Sequence, residues 1–213
     1  MKKTKKPLAY RFGGAFFCEL PFYVSKHTLI PRFDTEKLVE TVILNTPEGS
    51  TVLDMCTGSG CIAVTLAKHN YDVTALDISR RALKVAKRNA NLHDVKIVFE
   101  QSNLFSNLSP FSRFNVIVSN PPYIRTQEIG KWDKSILQEP QIALDGGVDG
   151  LHFYRQIIKQ APDYLTSNGK IFFEIGHDQA NDIKTLLQST GFCDIKIIKD
   201  IQGLDRVIYG RKN

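Results

Sequence analysis

The chain has 213 residues, of which 42% are hydrophobic and 23% are charged, and its formal net charge is +6. This length and balance are typical of one globular domain with a sizeable core. No apolar stretch predicts a membrane span and no segment predicts a secretory signal, so a membrane or secreted protein is excluded and a cytoplasmic location is expected.

The positive charge is concentrated at the start of the chain. Of the 28 basic residues, four are the lysines at positions 2 to 6, and the other 24 nearly balance the 22 acidic residues. Short basic runs are usually solvated, so residues 1–9 are predicted to form a disordered basic tail that makes at most incidental contact with nucleic acid. The near-neutral remainder gives no reason to require nucleic acid as a partner.

Neither the cysteines nor the histidines indicate a metal site. The four cysteines contain no C-x-x-C pair, and the five histidines are scattered without the spacing of metal ligands. A disulfide framework and a zinc site are therefore not predicted.

A short β-hairpin is predicted just after the tail. Arg11–Val24 alternates around two turn signals, Gly13-Gly14 and Leu20-Pro21. We place this hairpin in a linker over residues 10–30, ahead of a single larger domain over residues 31–213.

The larger domain should begin with a helix. Asp34 is a plausible N-cap, and the apolar residues that follow it fit one helical face. Arg32, Thr35 and Glu36 could reach a ligand lying over the sheet, or could belong only to a capped helix start. This segment alone leaves both interpretations open.

The next strand and turn have the pattern of a nucleotide-binding α/β unit. Thr51–Met55 reads as a strand, and Gly58-x-Gly60-x-x-Ala63 then opens a helix. Glycines let the backbone approach a ligand, and a helix N-terminus offers unsatisfied N–H groups to a carboxylate or phosphate. The second strand, Asp72–Leu76, ends in Asp77, whose carboxylate can accept both hydroxyls of a ribose.

The unit that follows supplies another candidate contact. Ser79 is predicted to cap a helix that packs on the sheet, and a third strand is expected near Val95–Phe99. In the next loop, Asn103 could hydrogen-bond an adenine amino group beside the apolar Leu104. A turn-forming role for Asn103 is equally compatible with the sequence.

The fourth strand carries the most informative stretch of the chain. Phe114–Ser119 is a β-branched apolar run that ends at Asn120-Pro121-Pro122-Tyr123, at the sheet edge where open α/β folds bind ligands. The prolines restrict the backbone, so the Asn120 side-chain oxygen and the Pro121 carbonyl should lie side by side and accept the two N–H bonds of a planar –NH2 group. The Tyr123 ring could stack on that plane, which implies an amide or exocyclic amine substrate. The alternative is a simple turn that ends the strand.

The rest of the chain completes the predicted sheet. Residues 125–141 are polar and lack a clear period, which indicates a flexible segment that borders the substrate, and residues 144–151 form a turn. His177 is expected on a surface loop. The remaining elements are predicted to be a helix over Phe153–Leu165 ended by Gly169, a strand over Lys170–Gly176, a helix over Gln179–Ser189 ended by Gly191, and strands over Asp194–Lys199 and Arg206–Tyr209. The last connection is too short for a parallel crossover, so the last strand should be antiparallel.

The predicted fold is α/β, with a doubly wound, mostly parallel seven-stranded sheet whose last strand is antiparallel, preceded by the short hairpin. With this order of motifs the chain resembles the class I, Rossmann-like S-adenosylmethionine-dependent methyltransferases that act on planar nitrogens. Within them it is similar to the PrmC/HemK family, the protein-glutamine methyltransferases that modify the Gly-Gly-Gln motif of peptide-chain release factors. The resemblance covers Tyr10–Gly210 and is carried by Leu29-Ile30-Pro31-Arg32 with Thr35-Glu36, Leu53-Asp54 with Thr57-Gly58-Ser59-Gly60, Ala75-Leu76-Asp77-Ile78-Ser79, Ser119-Asn120-Pro121-Pro122-Tyr123-Ile124, Leu144-Asp145-Gly146-Gly147 with Asp149-Gly150-Leu151, Glu174-Ile175-Gly176 and Arg206-Val207.

The resemblance implies an activity, a cofactor, a partner and site residues. The activity is methyl transfer from S-adenosyl-L-methionine to the side-chain amide nitrogen of a protein glutamine, with class 1 release factors as the protein substrate. The implied catalytic residues are Asn120, Pro121 and Tyr123, and the implied substrate-binding segment is Asn120-Pro121-Pro122-Tyr123. The implied cofactor-binding residues are Thr35, Cys56, Thr57, Gly58, Ser59, Gly60, Asp77, Asn103, Leu104 and Asn120.

The chain departs from the family pattern at several positions. The family usually has Pro-Arg-Pro-Glu-Thr-Glu in place of Pro31-Arg32-Phe33-Asp34-Thr35-Glu36, a glycine in place of Cys56, and an aspartate in place of Asn103. A side chain at Cys56 makes the tightest part of the cofactor turn bulkier, which would weaken cofactor binding. The family also normally begins with a helical domain, most of which has no counterpart in this sequence.

Other functions stay open at this point. A ribosomal-protein glutamine methyltransferase is close kin, and an adenine methyltransferase of DNA or RNA uses a similar Asn-Pro-Pro-Tyr on a flipped base, although the near-neutral body speaks against it. A nicotinamide-binding oxidoreductase is compatible with Gly58 and Asp77 but gives Asn-Pro-Pro-Tyr no role. An inactive cofactor-binding scaffold is compatible with Cys56 and the missing domain.

Overall fold

A computed structural model describes residues 6–132 and 135–213 of the chain. Residues 1–5, which carry most of the predicted lysine tail, lie outside the described residues. Within the described ranges, no helix is both long enough and apolar enough to cross a bilayer.

A one-turn helix and a hairpin come first in the described chain. Helix α1 (Leu8–Phe12) begins before the predicted tail ends, and the Tyr10 hydroxyl ties it to the body by donating to the Thr28 carbonyl at 2.6 Å. Strands β1 (Gly14–Phe17) and β2 (Leu20–Tyr23) pair antiparallel. The predicted hairpin is therefore confirmed.

Two kinds of contact fasten the hairpin to the main domain. Phe17 and Phe22 are each 1% exposed and belong to the same buried apolar cluster as Leu38 and Leu66 in the helices of the main domain. The buried Asn89 amide accepts from the Tyr23 N–H at 2.7 Å, and it donates to the Tyr23 carbonyl at 3.0 Å and to the Ser59 carbonyl at 2.8 Å. One side chain thus joins the hairpin to the loop at Ser59.

The described residues form one seven-stranded sheet. Its strands are β3 (Thr51–Met55), β4 (Asp72–Asp77), β5 (Val98–Gln101), β6 (Phe114–Ser119), β7 (Leu165–Glu174), β8 (Phe192–Lys199) and β9 (Asp205–Lys212). Their order across the sheet is β5-β4-β3-β6-β7-β9-β8. Neighbours are parallel except that β9 runs antiparallel to both β7 and β8, which confirms the predicted topology.

Helices cover both faces of the sheet. They are α2 (Phe33–Asn45), α3 (Cys61–Lys68), α4 (Arg80–Leu92), α5 (Thr126–Ile129), α6 (His152–Tyr164) and α7 (Ala180–Ser189). Along β6, Val116 and Val118 pack with α2 and α3, while Ile117 packs with α6 and α7. Because side chains alternate along a strand, an apolar run such as β6 can fill two cores at once.

The start of α2 differs from the prediction. Arg32, with φ −106° and ψ 146°, is the N-cap residue, and Asp34 lies inside the first turn. There its negative charge interacts favourably with the helix dipole, and its carboxylate lies 3.6 Å from the Arg206 guanidinium. The prediction of Asp34 as N-cap was therefore wrong.

The junction of α6 and β7 also differs from the prediction. Gly169 was expected to end the helix, but the chain is already extended at Leu165, with φ −93° and ψ 141°. Leu165 pairs with Phe114 and Lys170 pairs with Val116, so residues 166–169 form a bulge inside one long strand. The third strand is likewise displaced, since β5 begins at Val98.

Gly60 offers a test of the packing between α3 and α4. Its φ is +80°, and a Cβ there would lie 2.9 Å from the Ala86 Cβ. We therefore expect Gly60→Ala to lower the free energy of unfolding by about 1–3 kcal/mol, because the new methyl group is both strained and overpacked.

Urea unfolding measures this effect, and Gly130→Ala is the matched control. Gly130 has a right-handed helical conformation, and a Cβ there would meet nothing within 4 Å. Equal unfolding midpoints for the two variants would contradict the proposed close packing at Gly60.

Candidate active site

A cavity opens at the carboxyl ends of β3, β4 and β6, the edge at which doubly wound sheets bind ligands. Gly60 does not line it and instead packs α3 against Ala86. The other residues predicted to hold a cofactor all line this cavity: Thr35, Cys56, Thr57, Gly58, Ser59, Asp77, Asn103, Leu104 and Asn120.

The turn after β3 bends through three left-handed residues. The φ angles are 63° at Cys56, 56° at Gly58 and 80° at Gly60. Glycine adopts this region freely, whereas Cys56 carries a Cβ, so the departure from the family's glycine falls on a strained position. The Thr57 hydroxyl donates to Asp54 Oδ2 at 2.6 Å and fixes the turn to the end of β3.

Asp77 is held where β4 ends by two backbone N–H groups. Its Oδ2 accepts from Gly58 at 2.9 Å and its Oδ1 accepts from Ser79 at 2.8 Å. Burial raises the pKa of Asp77, and these two N–H donors oppose the rise. A carboxylate oxygen has two lone pairs, so each oxygen keeps one acceptor site for a ligand hydroxyl.

The loop after β5 places a polar and an apolar residue beside each other. Asn103 is exposed, and its carbonyl accepts from the Ser106 N–H at 3.2 Å. Leu104 is only 6% exposed and has φ 51°. In the described part of the chain the Asn103 side chain makes no hydrogen bond, and the loop is held instead by the backbone and by the Ser102 hydroxyl, which donates to the Leu104 carbonyl at 2.6 Å.

The two predicted acceptors lie at the end of β6. The Asn120 Nδ2 donates to the Thr35 hydroxyl at 3.2 Å. Over residues 6–132 and 135–213, neither the Asn120 Oδ1 nor the Pro121 carbonyl accepts a hydrogen bond. Asn120 and Pro122 line the cavity, whereas Pro121 does not.

Tyr123 is held by a buried acid rather than by the cavity wall. Its hydroxyl donates to Glu174 Oε1 at 3.2 Å, and its ring packs against the core under α6 and α7. Glu174, at the end of β7, is 2% exposed, and burial raises its pKa against the opposing charge of Arg206. Stacking of the Tyr123 ring on a substrate stays a prediction.

The predicted turn at residues 144–151 supports the Pro-Pro-Tyr backbone from behind. The Ile124 N–H donates to the Leu144 carbonyl at 3.0 Å, and the Ile124 carbonyl accepts from the Gly146 N–H at 2.8 Å. A Cβ on Gly146 would lie 2.6 Å from the Tyr123 Cα, so only glycine permits this approach.

The segment over residues 125–141 borders the cavity at Pro140, and its flexibility stays a prediction. It contains α5 and two 3-10 turns, Ile136–Gln138 and Gln141–Ala143, and its residues 133–134 lie outside the described part. The buried Glu139 accepts from the Ile30 N–H at 2.9 Å and pairs with Arg32. This ion pair connects two stretches that both line the cavity.

Sequence reasoning did not identify Glu139, and it gave Glu174 no role although Glu174 belongs to a motif that carries the resemblance. Each is a buried acid whose partners lie far away in the sequence. Glu174 lies between the apolar residues Phe173 and Ile175, which is a signal of a buried acid, whereas the neighbours of Glu139 give no such signal. His177 is exposed and does not line the cavity, and the four cysteines are free thiols. The described residues contain no group of three or more histidine, cysteine or acidic side chains arranged to hold a metal.

Comparison with known proteins gives a consistent result. The family described as Methyltransferase small domain matches residues 32–147. A "Release factor glutamine methyltransferase" of Geobacter sulfurreducens is 42% identical over 99% of this chain and 75% of its own length. A protein with the same description from Thermodesulfovibrio yellowstonii is 41% identical over 98% of this chain and 77% of its own length.

Solved structures agree with the observed fold. A release factor-specific protein-(glutamine-N5) methyltransferase from Alicyclobacillus acidocaldarius is 32% identical, with a TM-score of 0.55, over 90% of this chain and 99% of its own. A methyltransferase from Pyrococcus furiosus has a TM-score of 0.69 at 21% identity, over 90% of this chain and 88% of its own, and shows the likeness of fold alone.

Asp54, below the turn, gives a pH-dependent prediction. It is 0% exposed, and burial raises its pKa to about 7. The folded state therefore holds this proton more tightly than the unfolded state, so the stability falls as the pH rises from about 4 to about 7. Asparagine has no titrating proton. We therefore expect the free energy of unfolding of Asp54→Asn to fall less steeply with rising pH than that of the wild type.

Urea unfolding between pH 4 and pH 8 measures the slope. The control is Asp72→Asn, because Asp72 is exposed at the far end of β4. An unchanged pH slope in Asp54→Asn would show that Asp54 does not carry the effect.

Proposed function

The chain belongs to the release factor glutamine methyltransferase family, and we propose that it methylates the side-chain amide nitrogen of the glutamine in the Gly-Gly-Gln motif of a peptide-chain release factor. The observation that carries this proposal is the pair of unoccupied acceptors, Asn120 Oδ1 and the Pro121 carbonyl, at the end of β6. A primary amide has two N–H bonds in one plane, which such a pair can accept.

The cavity residues fit S-adenosylmethionine as the methyl donor. Asp77 keeps acceptor sites for ribose hydroxyls, the left-handed turn at Gly58 brings backbone close to the cavity, and Leu104 offers an apolar contact for a base. Asn103 and Thr35 are further polar groups on the same wall. When bound, this cofactor supplies an electrophilic methyl group on a sulfonium.

Asn120 and Pro121 would activate the glutamine nitrogen without a charged base. The lone pair of an amide nitrogen is delocalised into its carbonyl, which makes it a poor nucleophile. Acceptance of both N–H bonds raises the electron density on nitrogen and fixes its direction. As the new N–C bond forms and the S–C bond breaks, the nitrogen becomes acidic and releases one proton to solvent. Such positioning can contribute up to about 7–11 kcal/mol of barrier lowering.

The direct test is incubation of the purified chain with labelled S-adenosylmethionine and a release factor, followed by mass spectrometry of the Gly-Gly-Gln peptide. We expect a single methyl group on the glutamine. The proposed substrate would be wrong if the chain binds the cofactor, leaves this peptide unmethylated and methylates a ribosomal protein or an adenine instead. Cofactor binding without any transfer would support a scaffold.

Asn120→Ala tests the proposed acceptor. We expect turnover to fall roughly 100-fold or more, because one preorganised acceptor is lost while the buried strand is unchanged. The measurement is kcat with a Gly-Gly-Gln peptide. Asn91→Ala, an exposed change on α4, is the control, and equal kcat in both variants would refute the role of Asn120.

Asp77→Ala tests the cofactor assignment. We expect the Kd for S-adenosylmethionine to rise about 10- to 100-fold, since the variant loses the acceptors for the ribose and the bonds that hold Gly58 and Ser79. Calorimetric titration measures the Kd, and Asp72→Ala at the opposite end of β4 is the control. An unchanged Kd would show that Asp77 does not bind the ribose of the cofactor.

A further inference from the structure

The outer face of α4 carries a local concentration of positive charge that the overall charge of the chain does not reveal. No acidic residue lies between Asp77 and Asp94 in the sequence. The inner face of the helix, which includes Leu83 and Ala86, is buried. All five basic residues of the helix are exposed, and we call them the basic face of α4: Arg80, Arg81, Lys84, Lys87 and Arg88.

The charges of the basic face are not balanced by acids of the protein. Among the described residues, none of the five forms an ion pair. Arg80 donates to the Gln101 side chain, and Arg88 Cζ lies 3.4 Å from the centroid of the Tyr23 ring. Five arginines on other elements do pair with acids: Arg32, Arg125, Arg155, Arg206 and Arg211.

Helix stability does not explain this arrangement. Arg80 and Lys84 are four residues apart, and so are Lys84 and Arg88, so like charges lie next to each other on the helix surface and destabilise it. Arg80 and Arg81 also lie in the first turn, where the helix dipole favours negative charge. The helix would be more stable without these charges, which favours a role for them in binding a polyanion.

A phosphate backbone fits this face better than an acidic protein does. Every exposed residue from Arg80 to Asn91 is polar, so the face offers no apolar anchor of the kind that dominates protein–protein interfaces. Lysine is depleted in such interfaces, whereas surfaces that bind nucleic acid are strongly positive. From Arg80 to Arg88 the charges extend about 12 Å along the helix, and a nucleic acid carries a negative charge at each nucleotide.

The neighbouring aromatic residue favours a duplex over a single strand. Proteins usually bind single strands by stacking the bases on aromatic side chains. The aromatic ring beside this face is Tyr23, and the Arg88 guanidinium lies over it. Double-stranded RNA is recognised mainly through its shape and its backbone, which a row of basic side chains can contact.

We propose that the basic face of α4 binds the phosphate backbone of double-stranded RNA without reading its sequence. The choice of RNA over DNA rests on the proposed function, because a release factor acts in translation. None of the five basic residues lines the cavity, so methyl transfer to a peptide does not require this contact.

A protein with Lys84→Glu and Lys87→Glu tests the inference. Neither lysine has an ion pair or a side-chain hydrogen bond among the described residues, and each new glutamate lies within four residues of an arginine on the same helix. We expect the Kd for a fluorescein-labelled RNA duplex to rise about tenfold or more, and the slope of log Kd against log salt concentration to fall by about 2, because two phosphate contacts are lost. Fluorescence anisotropy over a series of KCl concentrations measures both quantities.

A protein with Lys159→Glu and Lys184→Glu is the matched control. These exposed lysines lie on α6 and α7, and their replacement makes the same change in net charge. All the proteins keep the four lysines at positions 2 to 6, so any binding by that segment is common to them. We expect the control to bind RNA within about threefold of the wild type, because distant charges are screened. Equal Kd in the two double variants, or no binding of the duplex by the wild type at low salt, would overturn the inference.

Three further ligands test the choice of double-stranded RNA: single-stranded RNA, a DNA duplex and poly-glutamate. Tighter binding of any of them than of the RNA duplex would overturn that choice.

Methylation of the Gly-Gly-Gln peptide keeps the two proposals apart. We expect the protein with Lys84→Glu and Lys87→Glu to methylate the peptide with the kcat of the wild type. No methylation by the wild type would refute the proposed function, whereas unchanged RNA binding in this variant would refute only the RNA site.

Discussion

Two successive prolines at the end of β6 impose the constraint on which the site depends. Pro121 and Pro122 have no N–H groups, so the strand ladder cannot continue through them. The backbone beyond them needs other partners, and it obtains them from the Leu144–Leu151 turn and from Gln179, whose Nε2 donates to the Tyr123 carbonyl at 3.1 Å. The same restriction leaves the Asn120 side chain as an acceptor beside the cavity and the Pro121 carbonyl without a donor among the described residues.

Buried polar groups connect this segment to the rest of the sheet. Glu174 at the end of β7 accepts from the Tyr123 hydroxyl, and Thr35 on α2 accepts from the Asn120 side chain. Arg206 on β9 adds a positive charge to the same region. Groups from three elements therefore surround one short loop, which is how a rigid site is built from neutral acceptors.

Local patterns were sufficient to predict the sheet, because its strands are apolar runs that end at turn signals. Phe114–Ser119 and Thr51–Met55 have the predicted bounds, and Ser79 caps α4 as predicted by accepting from the Ala82 N–H at 3.2 Å. The long-range polar contacts could not be predicted in this way. Arg32 and Glu139 are 107 residues apart, and only the folded chain brings them together. The direct junction of α6 and β7 was not predicted. The start of β7 is set by its pairing with β6 and not by the turn signal at Gly169.

The Asn89 amide has a thermodynamic consequence. It binds the hairpin at Tyr23 and the cofactor-side loop at Ser59 through one planar group, so the two cannot move independently without breaking a buried hydrogen bond. A protein that bound the hairpin and a ligand that bound at Ser59 would therefore act on opposite ends of the same group of hydrogen bonds. By thermodynamic linkage the two effects would be equal. If the hairpin partner changed the ligand's affinity by some factor, the ligand would change the partner's affinity by the same factor.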